Sequence, residues 1–350
     1  MSLDLTSPLK SICILRLSAV GDICHTLPVV RTIQSQWPDA KITWIIGKIE
    51  HSLIGDINGI EFIVFDKSQG LRAYKNIFKK MKHRRFDALL HMQMSLRSSV
   101  INRLIRTPLH IGFDRARAKD LQWLFNNAQI PAHKKQHVMD SFFGFSEALG
   151  INTKKLAWDI PISNKDQENA RRLLPSNQDY IVISPCSSMS YRNWNATGYA
   201  EVAKYAYEKH NLRTIVCGGN SEIEITLSQE IMQLTHQQAI NLVGKTTLKE
   251  LLVVLDQAVV LISPDSGPAH MATCVNTPVI GLYACTNPDR ARPYFSAEFV
   301  VNKYPQAIKQ KYGKSVDELE WGTRVRDAWA MEMIKINDVT EKLDLVIGKR

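Results

Sequence analysis

Short β-rich runs, each followed by a helix-compatible stretch, recur along this chain, and the series starts twice. In the first half the runs fall at residues 11–17, 41–46, 62–65 and 88–91, with helix-compatible stretches at 26–36 and 71–85. The second half restarts with 180–184, 213–217, 259–263 and 278–282, separated by helix candidates at 198–209 and 222–234. Strands alternating with helices specify a parallel sheet covered on both faces. The expected fold class is therefore α/β, with two Rossmann-like, doubly wound parallel-sheet domains facing a central cleft. The 350 residues suit that count at about 150 per domain. The connection falls in residues 160–178, where Pro161, Asn164, Pro175, Ser176 and Asn177 gather. Expected boundaries are 1–168 and 169–308, followed by a helical tail at 309–350. Trp321 and Trp329 are read as sharing one helical face of that tail, which is expected to pack back on the N-terminal domain.

Hydrophobic residues make up 45% and charged residues 22%, which excludes a disordered chain, a collagen or a small disulfide scaffold. The longest apolar stretches fall far short of the roughly 18 residues of a membrane span. Residues 1–10 carry Asp4 and Pro8 and do not read as an export signal, so a cytoplasmic location is expected. The six cysteines are scattered, with no CxxC pair, and read as buried free thiols. A formal charge of +10 points to an anionic partner: nucleic acid, an acidic membrane face or a phosphorylated small molecule. Basic residues gather between Lys75 and Arg85, and again as Arg97, Arg103, Arg106, Arg115, Arg117 and Lys119. No base-stacking aromatics are interleaved with them, which disfavours nucleic acid.

Ligands of open α/β sheets sit at the carboxyl ends of the strands, so the loops there carry the chemistry. The first, Arg16–Leu17–Ser18–Ala19–Val20–Gly21–Asp22, lacks the glycine spacing of a dinucleotide site. Asp22 is either a helix cap or a general base whose proton affinity burial raises. The strongest motif is Ser263–Pro264–Asp265–Ser266–Gly267–Pro268–Ala269–His270, a strand, loop and helix N-terminus. Backbone N–H groups near Ser266 and Gly267 can bind a phosphate there, and Asp265 holds a hydroxyl or caps the helix. His270 reads as a packed or hydrogen-bonded residue of the same helix. After residue 184 the loop offers Ser187 and Ser188 as hydrogen-bonding groups. Its Arg192 is either an exposed loop residue or the partner of a diphosphate leaving group. Gly218 and Gly219 leave room for a flat ring, while Glu222 either accepts from a ribose or caps its helix.

In order, the segments ILRLSAVGDICHTLPVV (14–30), IGFDRARAKD (111–120), QHVMD (136–140), SPCSSMSYRNW (184–194), CGGNSEIE (217–224) and SPDSGPAHMA (263–272) resemble glycosyltransferase family 9. These are the bacterial lipopolysaccharide heptosyltransferases, which transfer heptose from ADP-heptose. The resemblance implies a GT-B fold in which the N-terminal half receives the acceptor and the C-terminal half the nucleotide sugar, with inverting single displacement. By position, Asp22 is the general base. Arg192 stands where the family usually has Lys at the diphosphate, and Glu222 faces the adenosine ribose. Asp265, Ser266 and Gly267 match the donor motif, with Ser187, Ser188, Gly218 and His270 beside it. His137 falls at an acceptor-side histidine, and Arg97, Arg115 and Lys119 suit an anionic, lipid-linked Kdo acceptor. The expectations are metal-independent transfer without a cofactor, no nucleic-acid partner, and peripheral attachment to the cytoplasmic face of the inner membrane. The alternatives are a related transferase with another donor or adding a second heptose, and a catalytically idle nucleotide-sugar-binding protein.

Overall fold

The computed structural model describes residues 8–236 and 238–350, so most of the segment read for an export signal, with Asp4, lies outside the described residues. The chain divides into two compact units, the first ending at Pro161 and the second running from Ile162 to Arg350. The first unit comprises β1 (Ser11–Leu15), α1 (Val20–Gln36), β2 (Lys41–Gly47), α2 (Lys48–Ile54), β3 (Ile60–Phe65) and α3 (Leu71–Met81). It continues with β4 (Ala88–His91), α4 (Leu96–Asn102), β5 (His110–Gly112), β6 (Ala128–Gln129) and α5 (Val138–Ala148). The second opens with α6 (Asn164–Leu173), β7 (Tyr180–Ile183), α7 (Ala196–His210), β8 (Arg213–Val216), α8 (Glu222–Leu234), β9 (Ile240–Asn241) and α9 (Leu248–Asp256). It closes with β10 (Leu261–Pro264), α10 (Gly267–Cys274), β11 (Val279–Tyr283), α11 (Pro288–Ala291), β12 (Val301–Asn302), α12 (Tyr304–Tyr312), α13 (Trp329–Glu332) and α14 (Ile336–Gly348).

Each unit holds a six-stranded sheet, ordered β3-β2-β1-β4-β5-β6 and β12-β11-β10-β7-β8-β9. All the pairings are parallel. Counted from its own first strand, each sheet has the same doubly wound order, so the expected fold class holds. The central strands β1, β4, β7 and β10 are almost wholly buried, as sheets covered on both faces require. The direction of winding reverses between β1 and β4 in one unit and between β7 and β10 in the other, and a crevice opens at the carboxyl ends of such a pair.

Three expectations are corrected. The division falls after Pro161, inside the expected 160–178 connection but ahead of residue 168, because α6 occupies much of that span and belongs to the second unit. Ser163 caps that helix, and its Asn169 bonds Glu250 of α9 at 2.9 Å. The tail, expected to dock on the first domain, is instead built into the second. Val325, Met331, Ile334, Val339 and Leu343 belong to that unit's core. On α14, Asp344 accepts from Tyr205 Oη and Lys209 Nζ of α7, each at 2.8 Å. Trp321 and Trp329 do not share a helix: Trp321 lies in a turn, the Thr286–Arg324 bridge follows it, and α13 starts only at Trp329. None of the six cysteines is in a disulfide and five are buried, with the Cys217 thiol pushed up to about 12 by burial. Among the described residues, no helix is long and apolar enough to cross a membrane.

Candidate active site

In the first unit, the chain leaving β1 is held on both sides. Trp44 Nε1 donates to Arg16 O at 3.0 Å and Gly47 N to Leu17 O at 2.9 Å. A side chain at Gly47 would collide with Leu17 O, so β2 can approach this closely only through a glycine. From the β4 side, Gln93 Oε1 accepts from Leu17 N at 2.6 Å, and Gln93 Nε2 donates to Ser18 Oγ at 3.3 Å.

The loop so fixed places Arg16 and Asp22 together as an ion pair. Arg16 is buried, donates to Met92 O at 2.5 Å and lies 5.2 Å from the centre of the Phe142 ring. Asp22, in the first turn of α1, also accepts from Ala19 N at 3.3 Å. Its side chain keeps 34% exposure, so the carboxylate is oriented by an ion pair, not buried as the sequence reading supposed. One turn along α1, the buried His25 meets the His137 ring edge-on at 5.8 Å and Phe142 at 6.3 Å. His137 Nδ1 accepts from Met139 N at 3.1 Å and caps α5. The structure thus gathers Asp22 and His137 into one cluster through Arg16, Phe142 and His25. Glu50, at the start of α2, is buried nearby, and burial raises its carboxyl above the usual range against the pull of the Lys67 and Arg16 charges.

Arg97, Arg115 and Lys119 are exposed on the connections that follow β4 and β5. Arg115 stacks over Trp123 at 4.6 Å. Arg117 is consumed structurally, paired with Asp114 and donating to Gln136 at 2.9 Å and Ser141 at 2.6 Å. Beneath these loops His91 is wholly buried, with Nε2 3.0 Å from Ser98 Oγ and Nδ1 3.1 Å from Asn126 Oδ1. Burial lowers its pKa to about 4.

In the second unit, Arg192 is not an exposed loop residue: it is 8% exposed and its Nη1 lies 3.0 Å from Asp265 Oδ2. Asp265 therefore does not cap α10; it joins Arg192 to His270, whose Nε2 lies 3.9 Å from Asp265 Oδ1. Ser266 occupies the N-cap position, but its hydroxyl bonds Ser263 Oγ at 2.7 Å instead of closing the helix end. The first-turn amides of α10 consequently have no side-chain cap, beside a buried guanidinium, and that combination suits a diphosphate. Ser187 braces the preceding loop, its N donating to Asn193 at 2.8 Å and its Oγ accepting from Met189 N at 3.2 Å, while Ser188 is exposed.

After β8 the working carboxylate is Glu224. It accepts from Gly219 N at 2.7 Å and from Ser221 Oγ at 2.5 Å, closing a capping box and fixing the Gly218–Gly219 turn. Glu222 is left exposed at the first position of α8 and does not cap it. The sequence reading missed Arg16, Gln93, His25 and Glu224. Only Glu224 carried a local signal, the Ser-x-x-Glu spacing of a capping box.

Residues 74–320 match glycosyltransferase family 9 (heptosyltransferase). The lipopolysaccharide core heptosyltransferase OpsX of Haemophilus influenzae is 40% identical over 94% of this chain and 95% of its own length. This chain belongs to glycosyltransferase family 9. Lipopolysaccharide heptosyltransferase 1 of Campylobacter coli is 25% identical over 79% of the chain and 84% of its own length. Among solved structures, a family 9 glycosyl transferase from Veillonella parvula superposes with a TM-score of 0.80 at 20% identity, covering 100% of this chain and 99% of its own. Heptosyltransferase WaaC of E. coli, solved with ADP, superposes at 0.71 and 18% identity over 96% and 99%. The two six-stranded parallel sheets are those of the GT-B fold that these family 9 enzymes share.

Proposed function

We propose that this family 9 enzyme transfers heptose from ADP-heptose to a Kdo sugar of the lipopolysaccharide inner core, with inversion at the anomeric carbon. The observation that carries this reading is the 40% identity to the Haemophilus core heptosyltransferase across nearly the whole chain. The donor is supported by the WaaC structures with ADP and with ADP-2-deoxy-2-fluoro heptose.

In this mechanism Asp22 takes the proton of the acceptor hydroxyl as its oxygen bonds to the anomeric carbon. The carbon–oxygen bond to the diphosphate breaks, and its electron pair leaves with ADP. The positive charge developing on the sugar ring is stabilised by a carboxylate, as in other glycosyl transfers. In the second unit Arg192 and the α10 amides at Ser266–Gly267 take up the charge growing on the diphosphate. Asp265 and His270 hold Arg192 in place, Ser187 and Ser188 supply hydrogen bonds, and Glu222 with Gly218 takes the ribose and base. Fixed cations and a helix dipole can carry a leaving diphosphate without a divalent ion, so transfer is expected to persist in EDTA. His137, Arg97, Arg115 and Lys119 serve the anionic acceptor, and the basic first unit attaches the enzyme peripherally to the cytoplasmic face of the inner membrane.

The test is transfer of labelled heptose from ADP-heptose to Kdo-lipid A by the purified chain. A protein that binds donor without turnover would be an idle nucleotide-sugar binder. Turnover only with another donor, or only on an acceptor already carrying heptose, would assign it to a sister reaction.

A further inference from the structure

Helix α3 carries more charge and more exposed apolar surface than its packing explains. It buries Ala73, Ile77 and Met81 against the first unit's core, and its eleven residues LRAYKNIFKKM contain four cations and no carboxylate. Leu71, Lys75, Phe78 and Lys82 recur at helical spacing along one outward face. On that face Leu71 is 81% exposed and Phe78 50%. Beside it, a groove of about 480 Å³ runs between α3 and the end of β3, with exposed Lys48, Lys79 and Lys80 above buried Ala73 and Ile77. The nearby carboxylates are already engaged: Asp66 with Lys48 at 3.3 Å, and Glu61 with Arg84 at 2.5 Å. Lys75 and Lys82, with Lys79 beside Lys75, therefore leave the face net positive. Cations interleaved with single large apolar side chains match the boundary of an anionic bilayer, where phosphates meet ammonium groups and apolar side chains enter between headgroups. A purely polar polyanion would leave Leu71 and Phe78 without use.

We propose that α3 is the surface by which the first unit docks on an anionic lipid bilayer, with Leu71 and Phe78 as apolar anchors and Lys75, Lys79 and Lys82 as contacts to headgroup phosphates. This deepens the reading of a membrane-borne acceptor and rests on it. The assay below uses neither donor nor acceptor, so its failure is separate from failure of the transfer reaction.

The full chain is sedimented with vesicles of phosphatidylcholine, with or without phosphatidylglycerol, and compared with three variants: Lys75→Glu/Lys79→Glu/Lys82→Glu, Leu71→Ser/Phe78→Ser, and Arg171→Glu/Arg172→Glu on the exposed face of α6. Each cation near an anionic surface is worth roughly fivefold in partitioning. The lysine variant should therefore lose at least about tenfold in binding to phosphatidylglycerol vesicles while melting like the parent chain. The apolar variant should lose the part of binding that survives high salt, and the α6 variant should bind like the parent. An equal loss in the α6 variant would mean general positive charge, and would overturn the proposal. So would absence of parent-chain binding, or an apolar variant that binds normally while inorganic phosphate displaces the protein, which would make the groove a small-anion site. Displacement by RNA with no dependence on Leu71 and Phe78 would assign the face to nucleic acid instead.

Discussion

Two buried guanidiniums, Arg16 and Arg192, stand at the reversal points of the two sheets, and each grips an aspartate. The first pair lies within one loop; the second does not. Arg192 bonds a residue 73 positions away, which is why the sequence alone left it between an exposed loop arginine and a diphosphate partner. Asp22 is best tested as Asp22→Asn, since the amide oxygen can still accept from Ala19 and the buried Arg16 is not stripped of all contact. Loss of a general base should lower kcat about 10²- to 10⁴-fold while ADP affinity, measured by calorimetry, stays near that of the parent. Unchanged turnover would remove Asp22 from the chemistry. Arg192→Ala should weaken ADP binding and slow transfer together, each by about tenfold to a hundredfold, because charged hydrogen bonds to the diphosphate are lost. Arg192→Lys should fall between, keeping the charge but not the planar fork.

At the scale of elements, strands and helices with strong periodicity were legible in the residues: β4 and α8 have the expected bounds, and β1, β2, β7 and β8 differ only at their ends. The outer strands β5, β6, β9 and β12 were not, because two or three residues are too few to show a pattern. They exist because a neighbouring strand offers unpaired backbone groups. The polar bridge behind β4 was equally hidden: His91 lies in an apolar-looking run, yet bonds Ser98 and Asn126. It also yields a pH prediction. An unfolded chain protonates this histidine near 6.5, whereas the folded chain resists to about 4, so acid favours unfolding throughout that interval. Stability should fall by roughly 3 kcal/mol as pH drops from 6.5 to 4, and His91→Gln should flatten that part of the profile in denaturant titrations. A profile with the same slope in the variant would assign the acid sensitivity elsewhere.

For the whole molecule, the consequential finding is where the tail goes. Leu343 is fully buried in the second unit's core, so Leu343→Ala should cost about 2–5 kcal/mol of stability, measured by urea unfolding. A negligible cost would mean that the tail is not part of that core. The sequence by itself determined the fold class, the repetition of one doubly wound plan and the family, because alternating strand and helix periods and phosphate-binding loop motifs are written in short stretches. Tertiary structure alone decided that Arg16 is buried where it holds Asp22, that Asp265 serves Arg192 instead of a helix end, and that the tail completes the second unit. The Arg192–Asp265 pair and the place of the tail join residues that are distant in the chain, and only the folded second unit brings those together.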